Sequence, residues 1–111
     1  MDSIKFHEIV EHRLEACRLA LIGKAAEYAT DDDRLHNFKV AGISRGRSPE
    51  YALDGMMLKH IVSMWDIVDR MEDDRSYVPS EELVAEKLGD IINYILLLEA
   101  AIEDRRVLSN E

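Results

Sequence analysis

Apolar residues recur at helical spacing in three stretches of the chain. From Ser3 to Tyr28 the positions Ile4, Ile9, Val10, Leu14, Cys17 and Leu21 trace one side of a helix, with Asp2 and Ser3 available as caps. A second pattern starts at Pro49, which suits a first helical position, and runs to about Glu72. It carries Leu53, Met57, Ile61, Met64, Val68 and Met71 on one face and Lys59, Ser63, Asp66 and Arg70 on the opposite one. A third begins after Ser80, an N-cap residue type, opens at Leu83 and continues past Ala101, with "EDRRVLSNE" read as a fraying end.

Two segments interrupt these patterns. "ATDDDRLHNFKVAGISRGRSPE" holds three consecutive acids, two Gly and a Pro, so it reads as a loop of roughly twenty residues, a length that is usually functional or partly helical. "MEDDRSYVPSEEL" is the second break. The prediction is one all-α domain over residues 1–111, a bundle of three main helices with a long loop. Because "IINYILLLEAAI" is apolar nearly all round, it needs cover on more than one side, and a homo-oligomer completing a four-helix or larger bundle is expected.

Composition agrees with helices: 47% of residues are hydrophobic and 6% aromatic, with two Pro and five Gly. A formal net charge of −9 argues against nucleic acid or an anionic membrane as the main partner. A polyphosphate would need metal ions or locally placed Lys and Arg. Cys17 is the sole cysteine, so no intramolecular disulfide is possible and a reducing, cytoplasmic setting is expected. The N-terminus has no basic and apolar leader pattern, and no window reaches the length of a membrane span.

Candidate chemistry concentrates in the third helix. At helical spacing Glu86, Asp90, Asn93, Tyr94 and Leu97 share a face inside the most apolar part of the chain. A buried carboxylate requires a partner, so Asp90 is either half of an ion pair between helices or a ligand group. Glu86 and Asp90, one turn apart, have the spacing and hardness for Mg²⁺, and Asn93 can hydrogen-bond a nucleoside or a bound water. Glu8, Glu11, His12 and Glu15 form another acidic stripe, which reads either as metal ligands or as a solvated face. On the second helix Lys59 or Arg70 can meet phosphate oxygens and Asp66 can be a further metal ligand or the partner of a base, or the three form an intrahelical ion-pair face. His60, among Met56, Met64 and Ile67, reads as a core histidine with its hydrogen bonds satisfied rather than a catalyst, and its neutral imidazole can also donate to a carboxylate of another helix. Around the long loop Lys24, Glu27, Tyr28, Arg34, His36, Asn37 and Phe38 can cradle a base, or Phe38 can tuck into the core. P-loop, dinucleotide, serine-hydrolase and zinc-protease motifs do not occur.

The segments "KAAEYATDDDRLHNFK", "ALDGMMLKHIVSMWDIVD" and "EKLGDIINYILLLEAAI", in this order, resemble phage and prophage proteins of the nucleotide modification associated type. The last is also distantly similar to the MazG-like all-α nucleoside triphosphate pyrophosphatases. The resemblance spans roughly residues 24 to 104. It implies an all-helical oligomer, a nucleotide ligand and, for the pyrophosphatases, Mg²⁺-dependent release of pyrophosphate, with the metal held by ExxE and ExxD motifs on neighbouring helices. Here Asp90 and Asn93 stand in place, Lys87 replaces the acid expected three residues before Asp90, and the ExxE of Glu8 and Glu11 is a whole helix away.

On this resemblance Glu86 and Asp90, helped by Asp66 or Glu27, are expected to bind Mg²⁺ and activate a water. Lys59, Lys87 and Arg34 are expected to neutralise phosphate charge, and Asn93, Tyr94, Tyr28, Asn37 or Phe38 to contact sugar or base. The alternatives are a helical oligomer that binds a nucleotide without turning it over, and a structural protein in which Asp90 pairs with Lys59 or Arg70.

Overall fold

The computed structural model describes residues 1–23 and 33–111, and every regular element among them is helical. Helix α1 (Ser3–Arg18) starts at Asp2, whose carboxylate accepts the Lys5 N–H at 2.8 Å, one of the four donors a helix start leaves unpaired. It passes into a wider π-helical turn at Leu19–Gly23. The rest of the first predicted helix, to Tyr28, lies outside the described residues.

Helix α2 (His36–Ile43) occupies part of the predicted long loop. The chain then turns through Gly46 at φ 65°, a left-handed conformation that glycine adopts without steric penalty. Ser48 Oγ accepts the Tyr51 N–H at 3.2 Å and Pro49 takes the first helical position, so α3 (Pro49–Asp73) begins where the sequence indicates. After the next break Ser80 Oγ accepts the Leu83 N–H at 3.1 Å. From there α4 (Glu81–Val84), a π-helical turn (Ala85–Gly89) and α5 (Asp90–Ser109) follow without interruption.

The tail expected to fray is helical to Ser109. Two contacts hold it: Asp104 meets Lys39 at 3.0 Å, and Arg105 donates to Glu50 at 3.0 Å. Glu50 against Arg105 at one end and His60 against Asp90 further along make α3 and α5 an antiparallel hairpin. Leu35, Leu53 and Ala101 form its buried centre, with Phe38, Tyr94 and Leu97 packed on it. Helix α2 seats closely on the start of α3: a Cβ at Gly42 would lie 2.6 Å from the Ser48 carbonyl oxygen. Helix α1 lies along the π turn, where a Cβ at Gly89 would lie 3.0 Å from Arg13 Nη1. Among the described residues no helix is long and apolar enough to cross a membrane.

The expected apolar face of α3 is covered only in part. Leu53 is fully buried and Met57, Ile61 and Met64 are half-buried, whereas Val68 and Met71 face solvent. The reason is local: α2 and α5 close over the first half of α3, and nothing among the described residues closes over its second half in the same way.

Candidate functional site

The polar groups of α5 meet α3 at His60. Its Nε2 lies 3.8 Å from Asp90 Oδ2, an ion-pair separation too long for a hydrogen bond. The His60 and Tyr94 rings stand 5.5 Å apart, tilted by 34°. Asp90 is therefore paired with a histidine, and with neither Lys59 nor Arg70. Its side chain is 43% exposed, so solvent carries part of its charge and the expected strong burial of this carboxylate does not hold.

Two polar atoms next to it are buried instead. Among the described residues His60 Nδ1 and Asn93 Oδ1 have no hydrogen-bond partner. The reading of His60 as a satisfied core residue is corrected here, since its Nδ1 has no partner among the described residues and its Nε2 stands beyond hydrogen-bond distance of Asp90. Leaving such atoms unpaired costs about 1–3 kcal/mol each, so their retention calls for a bound water or a ligand. The Tyr94 hydroxyl is pushed above its ordinary pKa, first by burial and then by the Asp90 charge, so it stays protonated at neutral pH and able to donate.

The glycine in "KLGD" adds a cation. A glycine inside a helix is unfavourable unless something approaches closely, and the group approaching Gly89 is the guanidinium of half-buried Arg13. Gly89 and Asn93 stand one turn apart on the same helix, which puts Arg13 on the side of the site where Asn93 sits. Arg13 is the residue beside the site that sequence reasoning did not select, and Gly89 was the available signal for it; His60 was read as able to face a carboxylate of another helix, and only the α3–α5 register makes that carboxylate Asp90.

The other expected residues divide. Glu86, on the π turn, is 60% exposed and its carboxylate takes the Lys87 ammonium at 3.3 Å, so both are engaged with each other at the rim. Lys59 and Asp66 are exposed on the outer strip of α3, and among the described residues Asp90 pairs with His60 and not with either of them. Arg34 donates to the Leu21 carbonyl at 2.8 Å, tying the end of α1 to the approach of α2. Phe38 packs on the core, and Asn37 is exposed on α2. Glu27, Tyr28 and Lys24 lie outside the described residues.

Among the described residues no three His, Cys, Asp or Glu side chains are grouped so as to hold a metal ion. Glu86 and Asp90 could share a hard cation only with water or ligand oxygens completing its shell. Glu8 and His12, from the acidic stripe of α1, line an open groove of about 580 Å³ with Arg13, Glu81, Val84 and Ala85, at the foot of α4 and not beside Asp90.

Comparison with protein-family models, with curated proteins and with solved structures returns no match.

Proposed function

We propose that this chain binds a nucleotide at the cluster of His60, Asp90, Asn93 and Tyr94, as a homo-oligomeric helical protein of the phage nucleotide-metabolism type. The observation that carries the reading is the pair of buried atoms without a hydrogen-bond partner among the described residues, His60 Nδ1 and Asn93 Oδ1. A base or sugar edge offers the donors and acceptors such atoms lack, and the His60 and Tyr94 rings offer flat surfaces beside them. Arg13 would meet phosphate, with Lys87 freed from Glu86 as a second cation.

Binding without turnover is the form of this reading that the geometry favours, because Glu86 is turned to solvent and engaged by Lys87. Hydrolysis would ask Glu86 and Asp90 to hold Mg²⁺ together with phosphate oxygens, the ion neutralising charge that develops on the phosphate.

The test is a thermal-shift screen of nucleoside mono-, di- and triphosphates with and without Mg²⁺, each hit followed by chromatography. A ligand at a hundred times its Kd adds about 2.7 kcal/mol of stability, well within reach of such a screen. Recovery of intact nucleotide would make the protein a binder, and release of phosphate or pyrophosphate with Mg²⁺ would make it an enzyme. No shift at millimolar nucleotide would sink the proposal and leave the His60–Asp90 pair as architecture.

A further inference from the structure

Arg13 is half-buried on α1, and among the described residues it makes neither an ion pair nor a hydrogen bond. A guanidinium carries five N–H donors and cannot shed its charge, so holding it partly out of water with no acceptor is unfavourable. The chain has 23 Asp and Glu against 14 Lys and Arg. With acids in such excess, a half-buried Arg that meets none of them suits an anion from outside the chain.

The guanidinium lines the open groove of about 580 Å³ between α1 and α4. Lys5, Ile9 and Arg13, at steps of four, supply the α1 wall, and Pro79, Glu81 and Ala85 stand on the other. That second wall leads on to the nucleotide site, because further steps of four from Glu81 and Ala85 reach Gly89 and Asn93. In an α-helix each such step drifts about 40° round the axis, whereas in a π-helical turn, closed by i→i+5 bonds, a step of four falls short of a full turn. The turn at Ala85–Gly89 therefore offsets the drift and keeps the row in line. Gly89 is the gap in that row: a Cβ there would lie 3.0 Å from Arg13 Nη1, so its absence leaves the guanidinium room beside the helix. From Asn93 back to Ala85 the helix rises about 12 Å, a distance that an extended nucleotide spans from its base to its last phosphate.

We propose that the groove between α1 and α4 is the phosphate end of the site: Arg13 takes the phosphate nearest the sugar and Lys5 the terminal one, so the ligand is a nucleoside di- or triphosphate lying along α1. This rests on the nucleotide reading of the preceding section and adds the helix that holds the phosphates and the length of the tail. Arg suits the inner position because its planar fork binds phosphate oxygens bidentately. Lys5 is 63% exposed and its contact with Glu8 is 3.7 Å, an exposed pair loose enough to yield to a phosphate. Glu8 and Glu81 share the lining, and a Mg²⁺ ion carried on the phosphates offsets their charge. Neither Glu86 nor Asp90 lines the groove, so a tail held there is led away from both, in keeping with binding without turnover.

The experiment is isothermal titration of the full chain, with Mg²⁺, against each common ribo- and deoxyribonucleoside and its mono-, di- and triphosphate. Affinity of the wild type should rise from nucleoside to triphosphate. Arg13→Leu should lose about ten- to a hundredfold for the phosphorylated ligands and leave the nucleoside unchanged. Lys5→Met, a surface change with little bearing on folding, should remove the gain made by the terminal phosphate. Lys59→Met, on the outer strip of α3, should alter neither. A nucleoside that binds as tightly as its triphosphate overturns the proposal and leaves the base site standing. No binding of any nucleoside or nucleotide is the failure of the nucleotide reading itself, and this proposal falls with it. A phosphate gain that survives both Arg13→Leu and Lys5→Met, or that is lost in Lys59→Met, puts the phosphates elsewhere and overturns the groove alone.

Discussion

The two ends of the α3–α5 hairpin treat their polar groups in opposite ways. Where α3 begins and α5 finishes, Lys39 bridges Asp33 at 2.8 Å and Asp104 at 3.0 Å, Glu50 holds Arg105, and Leu35, Leu53 and Ala101 close the space between. Where α3 passes the π turn (Ala85–Gly89) and the start of α5, His60 and Asp90 face each other across 3.8 Å, and His60 Nδ1 and Asn93 Oδ1 have no partner among the described residues. One end is completed by the chain itself. The other keeps hydrogen-bonding capacity that the fold does not use, which is what a binding site requires and what a structural end avoids.

Substitutions at the closed end should therefore act on stability, and substitutions at the open end on ligand response. Leu53→Ala is expected to have the largest effect, a loss of about 2–5 kcal/mol in urea unfolding, because the side chain is fully buried at the meeting point of α2, α3 and α5. An unchanged midpoint would show that the closed end is not the anchor. Gly42→Ala should follow, losing about 1–3 kcal/mol because the new methyl meets the backbone of Arg47 and Ser48. Gly55→Ala, which meets nothing within 4 Å on α3, should instead gain about 0.5–1 kcal/mol in the same assay.

The Lys39 bridge gives the closed end a pH signature. The Lys39 hydrogen bond, outweighing burial, holds the Asp33 carboxyl below its usual pKa, and hydrogen bonds from Asp33 and then Asp104 raise Lys39. Stability from the Asp33 side is present above the ordinary carboxylate pKa and is lost as pH falls through the lower folded value. Stability from the Lys39 side is present below the ordinary lysine pKa and is lost as pH rises through the raised folded one. Lys39→Met should thus lower the unfolding temperature most at neutral pH and least in strong acid; an equal loss at both would mean the pair contributes through packing alone.

The smallest stability effect belongs to the open end. Asn93→Leu should leave the unliganded protein within about 1 kcal/mol of the wild type, since it removes a buried acceptor that has no partner. The same change should abolish nucleotide-induced stabilisation, and a clear loss of stability without ligand would assign Asn93 to the architecture after all.

What the chain displays openly is its caps. Ser48 with Pro49, and Ser80, each fix a helix start through one side-chain hydrogen bond, so the boundaries of α3 and α4 were readable. The antiparallel register was not, and with it went the pairing of His60 with Asp90, because helical periodicity says which side chains share a face and nothing about which face meets which. Helix α2 escaped for a related reason: with charges and glycines around "HNFKVAGI", only its packing on α3 separates it from a loop. The helical tail likewise depends on Glu50 and Lys39, partners more than fifty residues away in sequence.

The link between α3 and α4, residues 74–80, carries a consequence for the order of assembly. A connection that short closes at small entropic expense, whereas α1 must be brought in across the longer stretch before α2. We predict that α3 and α5 zip together in the rate-limiting step and that α1 docks afterwards. Pulsed hydrogen exchange during refolding would then protect amides of Leu53 and Ala101 before those of Cys17, leaving Arg13 and its neighbours the last to settle.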